Sequence, residues 1–452
     1  MHEFHGEECG KRLSGMIQFP TLSAPVDEDM DFAPFLEMQA YWKKTYPLLH
    51  EKLSFRQVGK AGCLYRWKGT GKGNLPPLML MAHQDVVPAG DPGAWKYPPF
   101  SGTIDQGAVW GRGTADCKGQ ICAQMEAVEA LLEEGYQPDY DLYLFYGYNE
   151  EVMSSPEVSA AAIAARELEA EGIRFGGILD EGGGVLDGSR WGVPSGLCTI
   201  IMAEKGYGDF EITATCPGGH SSKPYPNGAL TKIAKAILAI EENPFPYRLT
   251  ETIRNRFQTL APYIAKDNPE LGRLLEDMEG NWEALQPWIA SDPEVSAMFH
   301  TTMAPTMASG SEQANILPAT ARVVVNCRLL EGDTLESVEA HIRSLLEPGM
   351  EVRLLRGSNP SAQSVYEGKL KDLIVQICRE RYGEIVAIPD LMLGGTDAKH
   401  MYGLSDRVYR FSPFYKDEGI SGAHAANESI ALKTLAGGCA VYYELLKGYR
   451  GV

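Results

Sequence analysis

Positive charge is scarce in this chain of 452 residues: 41 Lys and Arg stand against 60 Asp and Glu, a formal net charge of −19 at neutral pH. That balance repels nucleic acid and anionic membrane surfaces, so neither is expected as a partner. No run of about 18 apolar residues exists to span a bilayer. The opening stretch, MHEFHGEECGKRLSGM, lacks the basic-then-apolar order of a secretory signal. CxxC pairs are missing too. Cysteines stand at 9, 63, 117, 122, 198, 216, 327, 378 and 439, and the one close pair, Cys117 and Cys122, lacks the spacing of a thiolate zinc site. Scattered, odd-numbered thiols suit a reducing compartment, and the expected location is the cytoplasm. There is no internal repeat and no low-complexity tract. What remains is ordinary globular composition, 44% apolar and 22% charged, which disfavours extensive disorder. At about 150 residues per domain the length allows two or three domains.

Short apolar runs separated by turn residues, LPPLMLMAHQD, YDLYLFYGYNEE and FGGILDEGG, are too short and too rich in strand formers for helices and read as buried strands. Helical patterns lie between them, Cys117 to Glu134 and Pro156 to Glu171, after an amphipathic stretch from Ala33 to Leu53. Alternation of this kind implies an α/β sandwich. From about Gly206 the pattern changes to period-two strands and amphipathic helices, GDFEITATC, Ala229 to Glu241, VVVNCRLL, SVEAHIRSLLEP and MEVRLL, a small α+β layer. Residues 243 to about 300 form a helical insert between its halves. The α/β pattern resumes near Gly357, so a second domain, residues 206–356, is expected inside a first one made of 1–205 and 357–452.

Five sites carry chemistry. His83 and Asp85 end a buried strand on the same face, which lets Asp85 accept the proton of one ring nitrogen and fix the other as a metal ligand. Asp116, in GRGTADCKG, is either a helix N-cap or a carboxylate bridging two cations. Glu150 and Glu151 end the next strand, where adjacent side chains point apart and can divide the work of general base and metal ligand. Asp180 and Glu181 follow a third strand, and Asp180 is preferred as ligand. His424 precedes the last helix. The alternating fold brings all of them to the carboxyl ends of its strands, where open α/β sheets build sites.

These residues sit in HQDVVP, WKYPPFSGTIDQGAVWGRGTADCKG, NEE, DEGGG, GGHSSKP, NCRLLEGDT, GGTD and HAANE, in the order seen in the dizinc aminoacylase and carboxypeptidase metallohydrolases. The chain resembles that family from about Phe19 to about Tyr443, most closely its carboxypeptidase S and N-acyl-amino-acid hydrolase branch. The resemblance implies a three-layer α/β/α zinc-exopeptidase-like catalytic domain with an inserted ferredoxin-like lid. It implies two zinc ions (Zn2+) per chain, although Co2+ and Mn2+ fit the same donors: one on His83 and Asp180, one on Glu151 and His424, with Asp116 bridging. Glu150 would be general base and then acid, and Asp85 would support His83. His220 matches a residue that reaches the scissile carbonyl, in many relatives from the partner subunit of a homodimer. Arg328 and the loop Gly394, Gly395 and Thr396 match positions that hold a substrate carboxylate, and the Asp116 to Cys117 link matches a cis peptide.

The implied activity is hydrolysis of the amide bond to a C-terminal amino acid with a free carboxylate, in an N-acyl amino acid or a short peptide. A dipeptidase requiring a free amine and a non-catalytic metal-binding homologue are the alternatives; retention of Glu150 speaks against the second, since passive storage needs no base. Cys117, Tyr148, Asn149 and the stretch Val152 to Ser155 depart from the family pattern without removing a ligand.

Overall fold

The computed structural model describes residues 2–152, 154–415 and 420–451. Its largest element is a nine-stranded mixed sheet. At its centre the strands Leu142–Gly147, Leu78–His83, Gly177–Asp180 and Val408–Arg410 lie side by side and parallel. The hairpin Ser54–Val58 and Gly62–Trp67 closes one edge, and Gly196–Glu204 with Ile385–Met392 builds the other. Alternation along the central strands feeds two cores. Leu78, Leu80, Leu142 and Leu144 point to a layer containing the helices Gly6–Ile17, Lys118–Glu133 and Leu432–Gly448. Met79, Met81, Tyr143 and Phe145 point to the opposite layer, under Ala160–Ala170. A parallel sheet covered on both faces reads as continuous apolar sequence, which is why LMLMAH and LYLFYG carry no polar alternation.

The second sheet is antiparallel, in the order Thr302–Ser309, Thr320–Leu329, Gly206–Thr215 and Glu351–Ser358. One face buries Phe210, Ile212, Val323 and Val325 against the helices Ala229–Glu242 and Leu335–Ser344, while the alternate residues are more exposed. The chain passes from the large sheet to this lid at Glu204, Lys205 and Gly206.

Some elements differ from the sequence reading. The stretch Ala33 to Leu53 is two helices, Ala33–Thr45 and Pro47–Lys52, because Pro47 lacks the N–H needed to continue the first turn ladder. The second helical pattern begins at Ala160, where the Ser159 side chain accepts from the Ala162 N–H. The helical insert does not build on the lid sheet. Its helices, Glu251–Asp267 through Pro293–Phe299, bury Ile253, Phe257, Leu260, Leu285 and Phe299 against Leu197, Ile388 and Leu391 at the edge of the large sheet. A buried ion pair, Arg256 to Asp390, joins the same two elements. Among the described residues, no helix is long and apolar enough to cross a membrane.

Candidate metal centre and substrate cavity

Three parallel strands end beside one another, and their last residues or the turns after them supply the site. His83 closes the strand Leu78–His83 and pairs in register with Gly147, so the chain leaving Gly147 carries Glu150 and Glu151 past the imidazole. The ring of His83 is fully buried; Nδ1 is 2.9 Å from the Asp85 carbonyl oxygen and 3.4 Å from its carboxylate. Asp85 does more than orient the ring. Its carboxylate accepts the backbone N–H groups of Glu150 (3.2 Å) and Glu151 (3.0 Å) and the Ser23 hydroxyl (2.7 Å), so one buried side chain aligns two strand ends. Burial opposes the charge on Asp85, yet these donors and His83 hold its carboxyl below the usual range.

Asp116 stands at the middle of the cluster. Its Oδ1 lies 2.9 Å from His83 Nε2 and its Oδ2 3.2 Å from His424 Nε2, one oxygen for each imidazole. Glu181 completes the His83 side (3.2 Å) and Glu151 the His424 side (2.9 Å). The result is two adjoining donor groups, His83, Asp116, Cys117 and Glu181, and Asp116, Glu151 and His424, that share one carboxylate. Asp116 is therefore a bridge between the two groups and not a helix cap: the Lys118–Glu133 helix has no side-chain cap at its start. The Asp116–Cys117 peptide is cis.

The electrostatics show how much negative charge converges. Burial pushes the Glu181 carboxyl up to about 8 despite His83, and burial with Glu181 as neighbour raises Glu150 well above the carboxylate range. Hydrogen bonds to Asp116 and Glu151 push His424 up to about 10. Burial works against Asp116, but His424 and His83 hold it far below its ordinary value. Glu151 Oε1 is buried without a hydrogen-bond partner. Two imidazoles, three carboxylates and an orphaned carboxylate oxygen form a donor set that fits divalent cations of the zinc type.

The structure places Glu181, and not the Asp180 expected from the sequence, beside His83; Asp180 is engaged differently. Its carboxylate accepts the N–H groups of Glu181 and Ala398, both at 2.9 Å, and so anchors the turn after GGTD. Neighbouring residues at a strand end point apart, and it is Glu181 that faces His83. His220 is not brought to the cluster. It is exposed on the short strand Gly219–His220, paired with Ile316–Leu317, and its Nδ1 bonds to Ser222. The departures from the family pattern have scaffold roles. Cys117 Sγ accepts the His83 N–H at 3.1 Å, Tyr148 packs edge-on against Phe32 and Phe35, and Asn149 accepts the N–H of Ala160 at the start of its helix.

A cavity of about 480 Å³ opens over the cluster and runs beneath the lid, lined by Glu150, Lys205, Arg328 and the Gly394 to Thr396 loop among others. Arg328 enters from the lid strand with its guanidinium 4.7 Å above the Tyr207 ring. The Thr396 loop is held by Glu204, which accepts the Thr396 N–H (3.0 Å) and hydroxyl (2.5 Å) and pairs with the buried Arg410. Glu204, Lys205, Lys399 and Arg410 carry no motif in the sequence; the only signal is that Glu204 and Lys205 directly precede the change of pattern at about Gly206.

Residues 79–448 match the family model Peptidase family M20/M25/M40, and the chain belongs to that family. Within it, the chain is an enzyme of the metallo-carboxypeptidase and amidohydrolase kind. It is 29% identical to carboxypeptidase S of Saccharomyces cerevisiae over 96% of this chain and 83% of the yeast protein. It is 28% identical to N-fatty-acyl-amino acid synthase/hydrolase PM20D1.1 of Danio rerio, over 95% and 84%. The fold is that of the M20 family metallo-carboxypeptidase Sso-CP2 from Sulfolobus solfataricus, with a TM-score of 0.68 at 19% identity, covering 97% of this chain and 98% of the other.

Proposed function

We propose that the chain hydrolyses the amide bond between an acyl or peptidyl group and a C-terminal amino acid whose carboxylate is free, with two zinc ions as cofactor. The observation that carries this reading is Asp116, whose two oxygens face His83 and His424 separately. His83, Asp116 and Glu181 would hold one ion, and Asp116, Glu151 and His424 the other. Bound there, the ions would polarise the amide carbonyl and lower the pKa of water, the usual chemistry of such sites.

The remaining work falls to the chain itself. Glu150 lines the cavity beside both ligand groups, and its carboxyl is already pushed upward by burial. It takes the proton of the attacking water and returns it to the departing amine. Arg328 offers two parallel donors to the substrate carboxylate, with Gly394, Gly395 and Thr396 along the same wall. His220, distant from the cavity within one chain, is assigned to the site of a second copy in a homodimer. The nine free thiols suit the cytoplasm.

Metal analysis and a hydrolysis panel test the reading. N-acyl amino acids and matching free dipeptides are assayed with and without chelator, on wild type and Glu150→Ala. About two zinc per chain, chelator-sensitive cleavage and a loss of at least about 10²-fold in kcat for the folded variant are expected. Activity of Glu150→Ala within tenfold of wild type would remove Glu150 from its role, and cleavage of free dipeptides alone would make the enzyme a dipeptidase.

A further inference from the structure

Beside the ligand cluster lies a further buried carboxylate, Glu428, which meets the cluster through backbone N–H groups. Glu428 is fully buried. Its Oε1 accepts three backbone N–H groups of one turn, from Gly113 (3.0 Å), Ala115 (2.8 Å) and Asp116 (3.1 Å). Its Oε2 accepts from Arg112 Nη1 at 2.6 Å, and its own carbonyl accepts the Gly111 N–H at 2.9 Å. Glu428 is also the residue from which the His424 loop hangs: Ser429 enters the strand Ser429–Ala431, paired with Ala108–Trp110. The loop is tied once more by Asn427, whose Oδ1 accepts the Lys96 N–H at 2.6 Å.

We propose that Glu428 is a positioning residue for the metal centre: one carboxylate fixes the turn that aims Asp116 and, through its own backbone, the loop that presents His424. The inference rests on the reading of the cluster as a metal centre. Three convergent N–H groups make a concave seat for the carboxylate, and the buried Arg112 pairs with its other oxygen. The arrangement sets the distance between two ligands that come from opposite ends of the chain, 308 residues apart by number (424 − 116). Outer partners of this kind typically change metal affinity by about 10- to 100-fold when removed.

Glu428→Gln is the informative variant. It keeps the size and one carbonyl oxygen for the turn but sets an NH2 group against the Arg112 guanidinium. Full-length wild type and variant are stripped with chelator and titrated with zinc against a competing indicator. The expected result is two zinc for wild type, with the weaker of the two bound about 10- to 100-fold less tightly by the variant. Glu428→Asp, which keeps the charge and shortens the reach, should fall between them. Hydrogen exchange on metal-free wild type needs no variant. If Glu428 holds the turn, the Ala115 and Asp116 amides are protected at least about 100-fold before any metal is added. Fast exchange of these amides, or a Glu428→Gln titration superimposable on wild type that binds two zinc, would overturn the proposal alone. A wild-type protein that takes up no zinc would overturn the metal-centre reading together with it.

Discussion

Lys205 shows how a single residue joins the two halves of the molecule and what that does to its charge. It follows Glu204 at the passage into the lid, lines the cavity, and donates to the carbonyl oxygens of Ala297 (2.9 Å) and His300 (2.8 Å) in the helical insert. Burial, with Arg328 as a second cation nearby, pushes its ammonium group down to about 7. The sign of the consequence is fixed. Below about 7 the residue adds a positive charge to that of Arg328 and favours a carboxylate in the cavity; above it the charge is lost. The KM for an N-acyl amino acid should rise by about threefold to tenfold between pH 6 and pH 8.5, and Lys205→Met should flatten the profile. An unchanged slope in that variant would separate Lys205 from substrate binding. In folding the same shift acts the other way: between about 7 and the ordinary 10.5 the unfolded chain holds more protons, so the contribution of this residue to stability grows as pH rises. His83, Asp116, Glu150, Glu151 and His424 were legible in the sequence because each sits at a strand end or Gly-rich turn with a recognisable neighbour. Lys205 and Glu204 were not, and Glu428 was visible only as the end of HAANE without its role, because their partners lie about 90 to 315 residues away by number. Asp180 and Glu181 are both carboxylates at the same turn, the resemblance points to Asp180, and the direction of the backbone decides which of them faces His83.

Among the elements, the helical insert is the one whose partner the sequence did not reveal. An amphipathic stripe says that a helix must be covered, not by what. Here the stripe covers Ile388 and Leu391 of the edge strand Ile385–Met392 and Leu197 and Ala203 of its neighbour, which would otherwise be exposed to solvent. The strands of the large sheet were legible where the apolar run was unbroken, as in LMLMAH, and missed where polar residues interrupt it, as in IVAIPDLM. Asp390 interrupts that last strand and, among the described residues, pairs with Arg256 of the helix Glu251–Asp267. Arg256 is buried and Asp390 is only 13% exposed, and Arg256 lies over the Trp191 and Phe257 rings. Removing one member of a buried pair leaves the other uncompensated, at a cost of about 3 to 5 kcal/mol, whereas removing both for apolar residues is often neutral. Arg256→Met should therefore lower the free energy of unfolding by about that amount in a denaturant titration. Arg256→Met with Asp390→Leu should recover most of the loss. A double variant no more stable than the single one would show that the helix is held by its guanidinium packing on Trp191 rather than by the charge pair.

At the scale of the whole molecule, the role proposed for His220 requires a route from an exposed ribbon to the cavity. The cavity lies between the large sheet and the base of the lid, where Arg328, Tyr207 and Ser358 line it. His220 sits beyond the other end of the same lid strand, past Thr215, on an exposed two-stranded ribbon. A strand advances about 3.3 Å per residue, so the ten residues Gly206–Thr215 separate the two ends by roughly 30 Å. Closing the lid about the short passage at Lys205 moves the far end in an arc, but the strand between hinge and ribbon stays rigid within its four-stranded sheet. His220 therefore stays about that far from its own hinge, and so from the lid-base end of its own cavity. On the proposed homodimer reading, a second copy related by a twofold axis would present its ribbon instead. This arrangement makes a quantitative prediction. His220→Ala and Glu150→Ala are each expected to be inactive as homodimers. Mixed in equal amounts under subunit exchange, half of the dimers contain one of each chain, and in every such dimer one site has both an intact Glu150 and a partner with an intact His220. Activity should return to about one quarter of wild type. If exchange is verified by mass and no activity returns, His220 does not act across a dimer, and action within its own chain would require the lid to refold locally.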